Sequence, residues 1–216
     1  MKYRAVLFDL DGTLLNTLED LAGSMNRALA GLGYPAHDTD KYRYFVGDGM
    51  EMLARRALPP GASQAEVTKC TAAMREEYGK HWADKTRPYK GIPELLESLA
   101  ARDLKVAILS NKPDEFTQEV IKKLLPHWRF KPVMGAKTGV PQKPDPAAAL
   151  MIAADLNILP EHFLYLGDTD TDMKTANASG MYPVGALWGF RKADELKLSG
   201  AKALIENPMD LMRLIH

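Results

Sequence analysis

The chain has 216 residues, enough for one large domain or one domain carrying a modest insertion, and its hydrophobic fraction of 46% is ordinary for a protein with a packed core. Lys plus Arg and Asp plus Glu number 28 each, so the formal charge is zero, no basic run points to nucleic acid and no acidic tail to disorder. The single cysteine, Cys70, excludes an intrachain disulfide and reads as a small buried apolar residue.

Ala5-Val6-Leu7-Phe8 is a short continuous apolar run, the pattern of a parallel strand buried on both faces. Asp9-Leu10-Asp11-Gly12-Thr13 follows at once. Two carboxylates therefore leave the carboxyl end of a core strand, where ligands bind in open α/β sheets, and a glycine permits the tight turn. An Asp pair there can hold a hard cation such as Mg²⁺, and one of the two can attack an electrophile. Taken alone, the pentapeptide also fits a plain strand-ending turn. This first run already contains an acid, too short and too acidic for a signal peptide, and no stretch reaches membrane-span length, so a cytoplasmic location is expected.

Leu14, Leu18, Leu21, Met25, Ala28, Leu29 and Leu32 then recur at helical spacing, with Gly33 as a stop. Residues 38–83 keep helix-type spacing, broken by Pro59-Pro60-Gly61. From Arg87 the texture alternates: helix 92–102, strand 105–109 ending at Ser110, helix 115–125, and a weak strand near Pro132-Val133-Met134. Helix 146–156, strand 163–166, helix 171–178, strands at 182–186 and 203–205, and a last helix after Pro208 follow. Such alternation predicts a doubly wound parallel sheet of the Rossmann-like α/β class. Roughly 100 residues separate the first strand from the one ending at Ser110, where a βαβ unit needs only about 30. The surplus is helical in pattern and reads as an inserted α-helical cap over residues 15–85, with 1–14 and 86–216 forming the core and Thr86-Arg87-Pro88 a hinge.

Three later segments share the logic of the first. Ser110-Asn111 brings a hydroxyl and an amide to the same sheet edge, able to bind phosphoryl oxygens or simply to cap a helix. Lys143 stands in a loop with few other charges and can neutralise phosphate. Gly167-Asp168-Thr169-Asp170-Thr171-Asp172 puts three acids directly after a strand, a repulsion that a cation would relieve. The histidines, His37, His81, His127, His162 and His216, show no metal-like spacing, while Trp82 and Trp128 read as buried anchors and Trp188 as a loop residue near the active edge.

In this order, acid pair, hydroxyl, lysine and acid cluster resemble the haloacid dehalogenase (HAD) superfamily of aspartate-dependent phosphotransferases, and the helical insertion resembles its type 1 cap. The resemblance implies Asp9 as nucleophile and Asp11 as acid and base. It also implies Mg²⁺ on the Asp9 carboxylate, the Asp11 backbone carbonyl and Asp168, with Thr13 and Asp172 behind them, and Ser110, Asn111 and Lys143 on the phosphoryl group, Lys143 also offsetting charge on the Asp9 carboxylate. Within the superfamily the chain is most similar to phosphoglycolate phosphatases, through Val46-Gly47-Asp48-Gly49, Ser110-Asn111-Lys112, Gly167-Asp168-Thr169 and Trp188-Gly189-Phe190-Arg191. The expected substrate is a small phosphorylated metabolite, 2-phosphoglycolate first, with neither nucleic acid nor membrane as partner. Gly47 is expected near that substrate, and Arg43 to pair with its carboxylate.

Other phosphatases of the family, acting on pyrophosphate, nucleotides or sugar phosphates, are the alternatives. A phosphosugar mutase is disfavoured by Thr13, where that branch more often has Val or Ile. A receiver-like signalling module also groups acids, a hydroxyl and a lysine, but has no helical insertion.

Overall fold

A computed structural model describes residues 2–215; His216 lies outside them. The chain opens with β1 (Ala5–Phe8), and the two-residue β2 (Leu15–Asn16) leads into α1 (Leu18–Gly31), α2 (Tyr42–Phe45), α3 (Gly49–Ala57) and α4 (Gln64–His81). β3 (Arg87–Pro88) pairs antiparallel with β2, so the two crossings between helical insertion and sheet run side by side. Asp20, in the first turn of α1, accepts hydrogen bonds from the Lys85 and Thr86 amides and from Thr86 Oγ1, fastening the end of the insertion to its start. Alternation follows: α5 (Ile92–Ala100), β4 (Lys105–Pro113), α6 (Asp114–Leu124), β5 (Val133–Ala136), α7 (Ala147–Asp155), β6 (Phe163–Gly167), α8 (Asp170–Ala178), β7 (Tyr182–Ala186), α9 (Ala193–Leu198) and β8 (Ala203–Ile205).

The sheet order is β5-β4-β1-β6-β7-β8, and every pairing in it is parallel. β1 is wholly buried because its side chains feed two cores by turns. Val6 and Phe8 join Ile92, Leu95, Leu99, Val120 and Leu211 on one face, while Ala5 and Leu7 join Ala149, Ile152 and Ala176 on the other. Each Val, Leu, Ile or Phe among them, fully withdrawn from water, contributes about 1.5–3 kcal/mol. The chain runs from β1 through β4 to β5 on one side and returns to β6 on the other, so the reversal of strand order falls at β1. Its carboxyl end is where such a sheet presents a ligand crevice.

The helices of the insertion have a core of their own, with Leu21, Met25, Leu53, Val67, Cys70, Met74 and Tyr78, into which Phe116 and Phe190 project from the sheet side. No helix among the described residues is long and apolar enough to cross a membrane.

Four expectations are corrected. The first helix starts at Leu18, because Leu14 and Leu15 pack into the sheet-side core as part of the hinge. β4 runs on through Pro113 with a register shift after Leu109, so Ser110, Asn111 and Lys112 lie within the strand. The last helix is a 3₁₀ segment, Pro208–Leu214; apolar spacing of three fits either helix type. Trp82 and Trp128 are half-buried, packed at the margin of the core.

Candidate active site

Asp9 stands one residue beyond β1, its amide donating to the Leu166 carbonyl of β6 at 2.9 Å. Asp9 is buried, and its Oδ1 accepts from Lys143 Nζ at 2.7 Å. Lys143 Nζ also donates to Asp172 Oδ1 at 2.7 Å and to the Leu109 carbonyl at 3.1 Å, which accounts for all three ammonium protons. Lys143 was expected both on the phosphoryl group and beside the Asp9 carboxylate; the structure has the second contact, and the ammonium sets the place of Asp9.

Asp172 owes its own position to a local motif. Thr169 caps α8, and Asp172 Oδ2 accepts from the Thr169 amide at 3.1 Å and its hydroxyl at 2.6 Å. Asp168 is fully buried, with Oδ1 accepting from Thr13 Oγ1 at 2.8 Å and Oδ2 from the Phe190 amide at 2.7 Å. Oxygens of Asp9, Asp168 and Asp172 lie within 4.8 Å of one another. Burial first, then the charge of Asp172, pushes the Asp168 carboxyl up to about 7 and holds Asp9 well above the usual range. Burial presses the Lys143 ammonium down, but Asp172 and Asp9 raise it further, so it stays charged. The cluster is short of positive charge, and its donors are hard oxygens of the kind that hold Mg²⁺.

Asp11 sits at the mouth, its two carboxylate oxygens accepting from Lys112 Nζ at 2.9 and 3.0 Å. A cleft opens above Asp9 and Asp11. Ser110, Asn111, Lys112, Lys143 and Thr169 line it from the sheet side, and Leu21, Val46, Gly47, Gly49, Met50 and Leu53 from the helical side.

Gly47 thus faces the cleft as expected of it, through a backbone with φ of +128°. Two other expectations give way. Arg43 does not reach the cleft: its Nη1 donates to the Gly189 carbonyl at 3.0 Å and its Nε pairs with Asp40 at 3.6 Å. Asn111 lines the cleft but spends its amide on structure. Its Nδ2 donates to the Gly47 and Lys143 carbonyls at 3.1 and 3.0 Å, and its Oδ1 accepts from the Lys143 amide at 2.9 Å. It is a strut between the Lys143 loop and the Gly47 loop of the helical side.

Sequence reasoning missed Lys112, although it stands in the quoted Ser110-Asn111-Lys112 run. It also passed over Arg191, 6% exposed, whose guanidinium donates to the Arg43 carbonyl and, at 3.0 Å, to the Val46 carbonyl, holding the helical side over the cleft. Trp188 Nε1 donates to the Thr13 carbonyl at 2.9 Å, bracing the first turn.

Small residues make room for the acids. Gly12 has φ of +92°, and a Cβ there would collide with the Asp168 carboxylate; one at Gly189 would strike the same group. Gly12→Ala is therefore expected to lower stability by about 2 kcal/mol or more, through left-handed strain plus the clash. It should also cut catalytic turnover at least about tenfold, since displacing Asp168 disturbs the cluster. Thermal unfolding and turnover measured on the same preparation check both.

A curated phosphoglycolate phosphatase of Pseudomonas putida is 30% identical over 209 residues, 94% of this chain and 76% of that protein. One from Aquifex aeolicus is 30% identical over 212 residues, covering 98% of this chain and 96% of its own. A solved structure from Lactobacillus delbrueckii subsp. bulgaricus superposes with a TM-score of 0.92 at 28% identity, covering 100% of this chain and 99% of that one. The family model for haloacid dehalogenase-like hydrolases matches residues 6–186, from β1 through β7, and the chain belongs to that family.

Proposed function

We propose that the chain is a Mg²⁺-dependent phosphatase of small phosphate monoesters, acting through an aspartyl-phosphate on Asp9, with 2-phosphoglycolate as substrate. The observation that carries this is the buried Asp9 carboxylate at the end of the central strand, held on one oxygen by Lys143 at 2.7 Å. The relatives in P. putida and A. aeolicus, both named phosphoglycolate phosphatases, support the choice of ester. The Asp9 carboxylate, the Asp11 backbone carbonyl and Asp168 would hold Mg²⁺, which when bound offsets charge on the phosphoryl oxygens.

With Oδ1 fixed by Lys143, the other Asp9 oxygen attacks phosphorus; the new O–P bond forms as the ester P–O bond breaks. Asp11 gives its proton to the leaving oxygen. Asp11 then takes a proton from water, whose oxygen attacks phosphorus and returns Asp9 and inorganic phosphate. Ser110, lining the cleft, donates its hydroxyl to a phosphoryl oxygen, where charge spreads in the transition state. Residues 15–85 act as a cap, which the contacts of Asn111 and Arg191 hold closed over the reacting groups, excluding water. The balanced charge and single buried thiol fit work in the cytoplasm on a small metabolite.

A phosphate-release screen over many esters tests the reading. Release from 2-phosphoglycolate is expected with Mg²⁺, falling at least about 100-fold with chelator. Preference for a nucleotide, pyrophosphate or sugar phosphate overturns the substrate, and no release from any ester overturns the phosphatase.

A further inference from the structure

We infer that Lys112 is the specificity residue for an anionic group on the non-reacting end of the substrate, receiving a carboxylate beside the ester while it holds Asp11. This rests on the phosphatase reading above and adds the residue that would select the acid. Among the described residues the cleft is lined by two cations, Lys143 and Lys112. Lys143 has no proton to offer, since Asp9, Asp172 and the Leu109 carbonyl take all three. The helical side contributes Leu21, Val46, Met50 and Leu53 and the backbone of two glycines, and so no charge. Its nearby arginines are turned elsewhere, Arg43 to the Gly189 carbonyl and Arg56 to Asp48 and the Phe45 carbonyl.

Lys112 is held for the task. Its side chain is 2% exposed, yet its ammonium reaches the cleft, gripped by both Asp11 oxygens and lying 4.5 Å from the centre of the Tyr78 ring of α4. A cation fixed in this way against an aromatic face loses little conformational freedom on binding an anion. A substrate carboxylate would accept one of the N–H hydrogen bonds that Lys112 gives Asp11, leaving one Asp11 oxygen free to carry the proton that goes to the leaving group. Esters without the carboxylate would leave Asp11 held on both oxygens. Selection and activation would then meet at one side chain.

The test is a ratio. kcat/KM is measured for 2-phosphoglycolate and for ethyl phosphate, of similar size without the charge, in the unaltered chain and in Lys112→Met. Any part of the loss that the two esters share divides out, and what remains is the part that depends on the carboxylate. The ratio is expected to fall about 100-fold, close to 2.7 kcal/mol at 1.36 kcal/mol per decade; an unchanged ratio overturns the inference. A second measurement needs no variant: the methyl ester of 2-phosphoglycolate, its carboxylate masked, should be at least about tenfold poorer in the unaltered chain, and equal turnover also overturns it. Phosphate release by the unaltered chain from neither ester, nor from any other phosphate ester, would instead remove the phosphatase reading itself.

Discussion

Asp9→Asn is expected to abolish turnover, with kcat falling by at least about 10⁴-fold while the protein stays folded. The amide matches the carboxylate in shape, and its oxygen can still accept from Lys143, which keeps Asp172 as its charged partner at 2.7 Å. What it lacks is the anionic oxygen that attacks phosphorus. Stability provides a second readout with a definite sign. Burial, then Asp172, holds the Asp9 carboxyl well above its ordinary value, and Asp168 is pushed up to about 7. A carboxyl raised on folding stabilises fully below its unfolded value, about 4, and that share is lost as pH rises through the folded value. The chelator-treated parent should therefore lose stability from about pH 4 through neutrality, and Asp9→Asn should lose less over the same interval. Thermal unfolding in chelator at pH 5 and pH 8, beside a phosphate-release assay, reads both effects. Turnover retained by a folded Asp9→Asn chain would assign the nucleophile elsewhere.

The site was legible in the sequence where one strand carried both the apolar run and the group that follows it. Ala5-Val6-Leu7-Phe8 and Phe163-Leu164-Tyr165-Leu166 are buried on both faces, so continuous hydrophobicity alone marked the strand ends that bring Asp9 and Asp168 together. Asp172 was visible too, because the capping motif with Thr169 is local. The pair β2 and β3 was not, since two residues show no period and each strand is defined by a partner about 70 positions away. Lys112 failed to stand out for a related reason. A lysine is solvated by default, and this one is buried only because Asp11 and Tyr78 arrive from two other parts of the chain. Arg43 misled in the opposite sense. Its charge and its place among the inserted helices suggested an anion ligand, but the sequence holds no sign that the Gly189 carbonyl takes up its guanidinium instead.

Lys143→Met should produce the largest combined loss, and the size of that loss should depend on pH. The ammonium is 2% exposed and joins two carboxylates that are themselves nearly dry, Asp9 at 8% and Asp172 at 1%. Methionine fills much of the volume but leaves those acids without their cation, and stripping one partner from a buried charge group costs about 3–5 kcal/mol. The cost falls on the ionised acids. Lys143 is among the influences that lower the Asp9 carboxyl, so its removal sends that group higher still, and protonation at low pH relieves the strain that ionisation would impose. Destabilisation should accordingly be severe at pH 8 in chelator and much smaller at pH 5, with Mg²⁺ recovering part of the loss at pH 8. Activity should fall at least about 10²- to 10³-fold even where the chain is folded, because Asp9 is no longer held in place and the transferring charge has lost a fixed cation. Lys143→Arg separates charge from fit: it restores the cation, yet a planar guanidinium cannot meet Asp9, Asp172 and the Leu109 carbonyl as the ammonium does. Stability at pH 8 should then recover more than kcat, and a Lys143→Met chain as stable and as active as the parent at pH 8 would show that Asp9 does not depend on this lysine.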